Sequence, residues 1–288
     1  MPRSIHSLAA ALALVAGPFA SAQITDLTQW TVIEDPPDPN LTATTTPTTA
    51  TLQATAPVPN AADIGYATVN ANTVAESTEG FAFESSSSFS LAIDFALDWA
   101  GADGGIAVGF GIGEDAAGVN SAGAVFAAGT AGNFGFSTAG AAATNNDTPV
   151  GLTDFGFVVS SSNNGSADGR LFVAYNASNR DITVGFSDAP GADTPDSTSL
   201  ILGSTLDQSS GDDLLASFFI RSQSFTQQIP GGFGPIDLTI DPWTAGNATA
   251  TFSNFEILAG SANAIPEPTT AIGLGLGMLC LISRRRRA

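Results

Sequence analysis

The sequence predicts an all-β body, an antiparallel β-sandwich, set between two apolar end segments. Three observations carry that expectation. Phe89, Leu91, Ile93, Phe95, Leu97 and Trp99 alternate with Ser90, Ala92, Asp94, Ala96 and Asp98. A period of two sends the six large side chains to one face of a strand and the aspartates to the other. The same beat returns repeatedly down the chain, with no useful run of helical period. Between the alternating runs lie glycine, asparagine, aspartate, serine and proline, at 101–105, 145–149 and 162–169, which are the residues of turns.

Taken from the start, residues 1–22 hold Arg3, an apolar run over 8–19, and Ala20-Ser21-Ala22 before Gln23. This is the pattern of a secretory signal peptide with a small-residue cleavage site. Residues 30–33 predict a first strand, which the acidic and proline-rich stretch after Ile33 ends. Residues 41–59 are rich in Thr, Ala and Pro. They read either as a linker or as edge strands interrupted by Pro47 and Pro57. Threonine is a good strand former, and 62–69 resume the alternation, so strands are the expectation. Further strands are predicted at 89–99, 106–112, 171–175, 182–186, 214–220 and 236–240, and a closing one at 248–258. A hairpin over 172–186 turns at Asn176-Ala-Ser-Asn-Arg-Asp181. Residues 23–264 suffice for one large β domain with its own core.

Composition excludes much chemistry. The only cysteine, Cys280, and the only histidine, His6, lie in the end segments, and there is no lysine. The body therefore has no disulfide, no Cys/His ligand set for zinc or copper, no Ser-His-Asp or Cys-His arrangement, and no Schiff-base lysine. Within 23–264, Arg170, Arg180 and Arg221 face 26 carboxylates, a net charge near −23. Such a surface repels nucleic acid and anionic lipid and attracts divalent cations.

Carboxylates are the remaining catalytic option. Asp94 and Asp98 share a strand and a face, but four residues of strand separate them by about 13 Å, beyond the roughly 5–9.5 Å of a glycosidase pair. Glu114-Asp115 and Asp212-Asp213 are adjacent pairs expected in turns. Calcium is the one candidate cofactor, with Asp98, Asp103, Glu114 and Asp115 as candidate ligands in oxygen-rich loops. Trp243, after Asp241-Pro242, and Tyr175 are candidate aromatic platforms for sugar rings. Trp99 continues the apolar face and is expected in the core.

The last two dozen residues have three parts. Pro266-Glu267-Pro268 holds an extended backbone. Residues 271–283 carry no charge, and Arg284, Arg285, Arg286 and Arg287 follow. The apolar run falls short of the roughly 20 residues of a stable membrane span, so a short transmembrane helix is expected, its arginines cytoplasmic and the body outside. This tail resembles the PEP-CTERM sorting signal of Gram-negative bacteria. The resemblance implies processing by an exosortase near Pro266-Glu267-Pro268. It also implies a transient inner-membrane anchor through 271–283, then delivery to the cell surface or extracellular matrix.

From Glu79 onward, the run 89–99, the Gly105–Gly113 strand after it and the closing 248–258 resemble a concanavalin A-like lectin/glucanase jelly roll. That resemblance implies contact with extracellular polysaccharide. In the glucanases it implies carboxylates in E-x-D-x-E spacing on one strand; here Ala96 stands between Asp94 and Asp98, a departure from the pattern. The reading is a non-catalytic, exported surface or matrix protein that binds glycan weakly, for instance in biofilm. The alternatives are a carboxylate-based carbohydrate-active enzyme and a calcium-binding envelope module.

Overall fold

The computed structural model describes residues 24–131, 134–146, 148–150, 153–160, 162–205, 213–229 and 236–265. The expected signal peptide, the sorting motif, the transmembrane helix, the arginine cluster and Asp212 lie outside the described residues. Among the described residues, no helix is long and apolar enough to cross a membrane.

The strands are β1 (Thr31–Asp35), β2 (Leu41–Thr45), β3 (Thr49–Thr55), β4 (Asp63–Ala67), β5 (Gly80–Ala82) and β6 (Phe89–Gly113). There follow β7 (Ser121–Ala131), β8 (Phe134–Asn145), β9 (Thr148–Pro149), β10 (Thr153–Ser160), β11 (Gly165–Asn176) and β12 (Asp181–Ser187). The last are β13 (Ser197–Ile201), β14 (Leu215–Ser222), β15 (Phe225–Ile229), β16 (Ile236–Ile240), β17 (Ala245–Ala259) and β18 (Asn263–Ile265). Their ladders are antiparallel.

β6 organises the sandwich because it belongs to both layers. Its first part pairs with β11 and β17; from Gly104 on it pairs with β7 and β14. The first sheet runs β2-β3-β17-β6-β11-β12-β13, and the second runs β1-β4-β14-β6-β7-β8-β10. The turn expected at 101–105 is therefore a bend inside one strand of 25 residues. Gly104 takes φ +108 there, and a Cβ on it would overlap the Pro242 carbonyl oxygen. Glycine lets the chain change sheets without ending the ladder.

The period-two pattern becomes the core. Phe89, Leu91, Ile93, Phe95 and Leu97 are buried, as are Ile106, Val108, Phe110 and Ile112 beyond the bend. Removing each such side chain from water contributes about 1.5–3 kcal/mol. Trp30, Phe218 and Phe252 pack between the layers, with Trp30 and Phe218 centroids 5.2 Å apart and Phe218 and Phe252 4.6 Å apart. Trp99 is half-buried and packs against this core. The Thr/Ala/Pro stretch forms β2 and β3, with Pro47 in the turn between them and Pro57 beyond β3. The expected hairpin is β11–β12, closed by Arg180 N–H donating to Asn176 O at 2.7 Å. The turn expected over 162–169 is shorter, because β11 already begins at Gly165.

β7, β8 and β10 were not among the expected strands. Ala122, Ala124, Ala128, Ala139, Ala141 and Ala143 supply much of the core face of β7 and β8, and alanine between glycines gives little contrast for a period-two reading. β15 and β16 form a separate hairpin that lays Phe225 and Ile240 over Gly105 and Gly129. Among the described residues, β18 pairs only with β5, outside both large sheets.

Candidate functional site

Asp94, the carboxylate nearest to a catalytic position in the sequence, lies in β6 opposite Arg170 of β11 and Ser253 of β17. It projects from the outer face of the first sheet, as the alternation requires, yet it is only 8% exposed. Arg170 Nε stands 3.5 Å from Asp94 Oδ1, and Arg170 Nη2 donates to Glu256 Oε2 at 2.5 Å. Gly191 N–H donates to Asp94 Oδ1 at 3.0 Å and Asn254 Nδ2 to Asp94 Oδ2 at 3.1 Å. The guanidinium carbon sits 5.7 Å from the Phe172 ring centroid. Arg170 thus lies between two carboxylates, and one of them, Asp94, also accepts from a loop N–H and an amide.

Two local features build this cluster. A bulge in β17 between Ser253 and Glu256 inserts one extra residue opposite β6, with Asn254 at φ +50. The insertion turns Phe255 inward and Glu256 outward. The loop between β12 and β13 then straps the face. Ser187 Oγ donates to Asp196 Oδ2 at 2.7 Å, and Asp196 N–H to Phe186 O at 2.9 Å, which carries Gly191 over Asp94. Burial makes the pairing strong in consequence: removing one partner of a buried pair typically costs about 3–5 kcal/mol. Asp98, on the same strand and face, is exposed opposite Ser166 and Thr249. The two aspartates share a face but not an environment.

Beside the cluster lies a shallow recess of about 190 Å³ lined by Ser90, Phe172, Thr183, Asp193, Thr198 and Leu258, among others. Its lining is mainly apolar, with Ser90, Thr183, Thr198 and Asp193 as the polar side chains, and Leu258 is 41% exposed. Arg170 was not singled out in the sequence. Its signal was scarcity, since it is one of three arginines in a body rich in carboxylates.

Both candidate aromatic platforms belong to the core instead. Trp243 is 1% exposed; its backbone N–H donates to Ser222 Oγ at 2.9 Å and its backbone carbonyl accepts from Val58 N–H at 2.8 Å. The Asp241-Pro242 turn folds the indole under the β6 bend rather than presenting it. Tyr175 is 3% exposed and stacks on Phe89, with centroids 5.4 Å apart. Its hydroxyl donates to Ser85 O at 3.2 Å, and burial raises the phenol pKa above its ordinary value. Tyr175 shares the inward beat of Leu171 and Val173, so the alternation itself pointed to the core.

The four candidate calcium ligands are not brought together. Asp98 and Asp103 lie near the β6 bend, whereas Glu114 and Asp115 follow its far end, ten strand residues or roughly 33 Å beyond Asp103. Asp115 spends both carboxylate oxygens on its own turn, accepting from Val119 N–H at 2.8 Å and Asn120 N–H at 3.0 Å. Among the described residues, no three His, Cys, Asp or Glu side chains are grouped to hold a metal ion.

A second ion pair marks the outer face of the second sheet. Arg221 donates through Nε to Asp63 Oδ2 at 2.8 Å, and through Nη2 to the same oxygen. Its guanidinium carbon lies 5.0 Å from the Phe219 centroid. Desolvation raises the Asp63 pKa above the ordinary carboxylate value, and Arg221 only partly opposes it.

The chain matches no protein-family model, and no curated protein matches it in sequence. Among solved structures it is similar to the alginate lyase from Alteromonas sp. 272, at 11% identity and a TM-score of 0.41, covering 84% of this chain and 97% of that one. It is also similar to an alginate lyase from Pseudomonas aeruginosa, at 9% identity and a TM-score of 0.41, covering 77% of this chain and 86% of that one. The basic winged bean lectin is similar at 13% identity and a TM-score of 0.34, covering 80% and 93%.

Proposed function

We propose that this chain is an exported, exosortase-sorted protein of the cell surface or extracellular matrix, with a non-catalytic, jelly-roll-type acidic sandwich that binds glycan weakly. The observation that carries the reading is the order of the tail: Pro266-Glu267-Pro268, an uncharged run over 271–283, then four arginines. A basic end holds such a run with its arginines on the cytoplasmic side, and an extended proline-framed strip outside the bilayer is open to a membrane protease. The signal peptide supplies export, and the missing lysine and excess of carboxylates suit a soluble protein that repels itself.

The engagement of Asp94 supports the non-catalytic part. A general acid or base has to reach substrate, and this carboxylate faces Arg170, Gly191 and Asn254 under a loop. The recess beside Phe172 is the proposed glycan contact. Fractionating cells with and without the processing enzyme tests the sorting: the protein should move from the surface fraction to the inner membrane when the enzyme is missing. An unchanged distribution would sink it. Glycan arrays beside a reducing-sugar release assay separate binding from turnover, and sustained release abolished by Asp98→Asn would favour the enzyme instead.

A further inference from the structure

The recess beside Phe172 is lined partly by paired strand residues and partly by two less regular segments. The loop between β12 and β13 contributes Asp193 and Pro195, and the end of β17 contributes Leu258. A second register shift in β17, between Ile257 and Ala259, leaves Leu258 with no residue of β6 opposite it. Both segments are tied to the same side chain. Asp94 Oδ1 accepts from Gly191 N–H at 3.0 Å, two residues before Asp193, and Asp94 Oδ2 accepts from Asn254 Nδ2 at 3.1 Å, four residues before Leu258.

The loop has few other ties. It closes at its base through Ser187 and Asp196, and Ala192 N–H turns back on Ala189 O at 3.2 Å. Pro195 rests on Gly185, where a Cβ would overlap its ring. Among the described residues, the bond from Gly191 to Asp94 is the hydrogen bond that joins the middle of this loop to the sheet. Asn254 stands in the first bulge of β17 and Leu258 in the second, so holding Asn254 fixes where the irregular end of that strand begins.

We propose that Asp94 is a positioning residue for the glycan recess: one carboxylate, shared between the β12–β13 loop and the bulged end of β17, holds both against the sheet. This rests on the glycan contact given above and adds to it a residue that acts through its neighbours. An ionised carboxylate accepts through both oxygens, which is what two donors arriving from different segments require. An asparagine at 94 would keep both ties once Asn254 turned its amide, so that Oδ1 accepts where Nδ2 now donates. A valine of similar bulk would keep neither.

Comparing Asp94→Asn with Asp94→Val tests this. Each leaves Arg170 without its cross-strand charge, so both lose stability, and only the asparagine retains the two ties. The probes are dextran, hydroxyethyl cellulose and galactomannan in affinity electrophoresis, uncharged polymers that suit an acidic body whose recess carries Asp193. Retention of Asp94→Asn is expected within about twofold of the wild type, and that of Asp94→Val weaker by about fivefold, the scale of one or two lost hydrogen bonds. Equal retention of the two would overturn the positioning role, because a purely structural aspartate would make them alike. Asn254→Gly decides the matter if the valine variant does not fold. Glycine accepts the φ of +50 at this exposed position, and the Asp94–Arg170 pair stays intact. Its retention should fall about threefold; unchanged retention would overturn the role of Asp94 and leave the glycan contact standing. Wild-type protein retained by none of the three polymers would overturn the glycan contact, and the role of Asp94 with it.

Discussion

Arg170 and Asp94 face each other across β11 and β6, with 3.5 Å between Nε and Oδ1, on the outer face of the first sheet and beneath the loop that carries Gly191. Arg170 is 2% exposed. The pair ties β6 to β11, to the bulged end of β17 through Glu256, and to the β12–β13 loop. It is a pin between four segments.

Cutting the pin should therefore show in stability. Asp94→Ala leaves a buried guanidinium without its cross-strand carboxylate and is expected to cost about 3–5 kcal/mol. Urea unfolding checks it, and a loss below about 1 kcal/mol would show that the loop and Glu256 hold Arg170 unaided.

Asp63 predicts a pH dependence. Desolvation raises its folded-state pKa above the ordinary carboxylate value of 3.8, so the folded protein binds this proton more tightly than the unfolded chain does. The contribution is fully present below pH 3.8 and is lost as pH rises through the raised folded value. Asp63→Asn removes that titration. The stability of the wild type relative to Asp63→Asn should thus rise as pH falls toward 3.8, in denaturant melts at several pH values. A relative fall would mean that the Arg221 pairing outweighs desolvation.

Trp243 should behave as core. Trp243→Ala is expected to cost about 3–5 kcal/mol and to remove a blue-shifted contribution to the fluorescence. Unchanged stability with lost glycan retention would instead restore it as a binding platform.

Leu258 gives the opposite expectation. It is 41% exposed at the recess, so Leu258→Glu should change stability by no more than about 0.5 kcal/mol while weakening glycan retention at least fivefold in affinity electrophoresis. Unaltered retention would move the glycan contact elsewhere.

How much of this was legible depended on the range of the interactions. The inward faces of 89–99 and 106–112 were readable because alternation is local and the side chains are large. β2 and β3 were readable through threonine despite the prolines. The bend at Gly104 was not, since glycine between two strands looks the same whether it ends a ladder or turns it. Nor were β7 and β8, whose alanine faces carry little hydrophobic contrast. The Arg170 cluster needs β6, β11 and the bulge at Asn254 together, and no local pattern announces residues 76 apart on opposed strands (94 and 170). Trp243 was misplaced because a proline turn usually marks surface, while this one tucks beneath the β6 bend.

The intact mass of the protein recovered from the surface of cells that process such tails tests the central claim most directly. The account predicts a chain that begins at Gln23 and ends upstream of residue 284, with all four terminal arginines gone. A chain that still extends through Ala288, recovered from the inner membrane of the same cells, would contradict it.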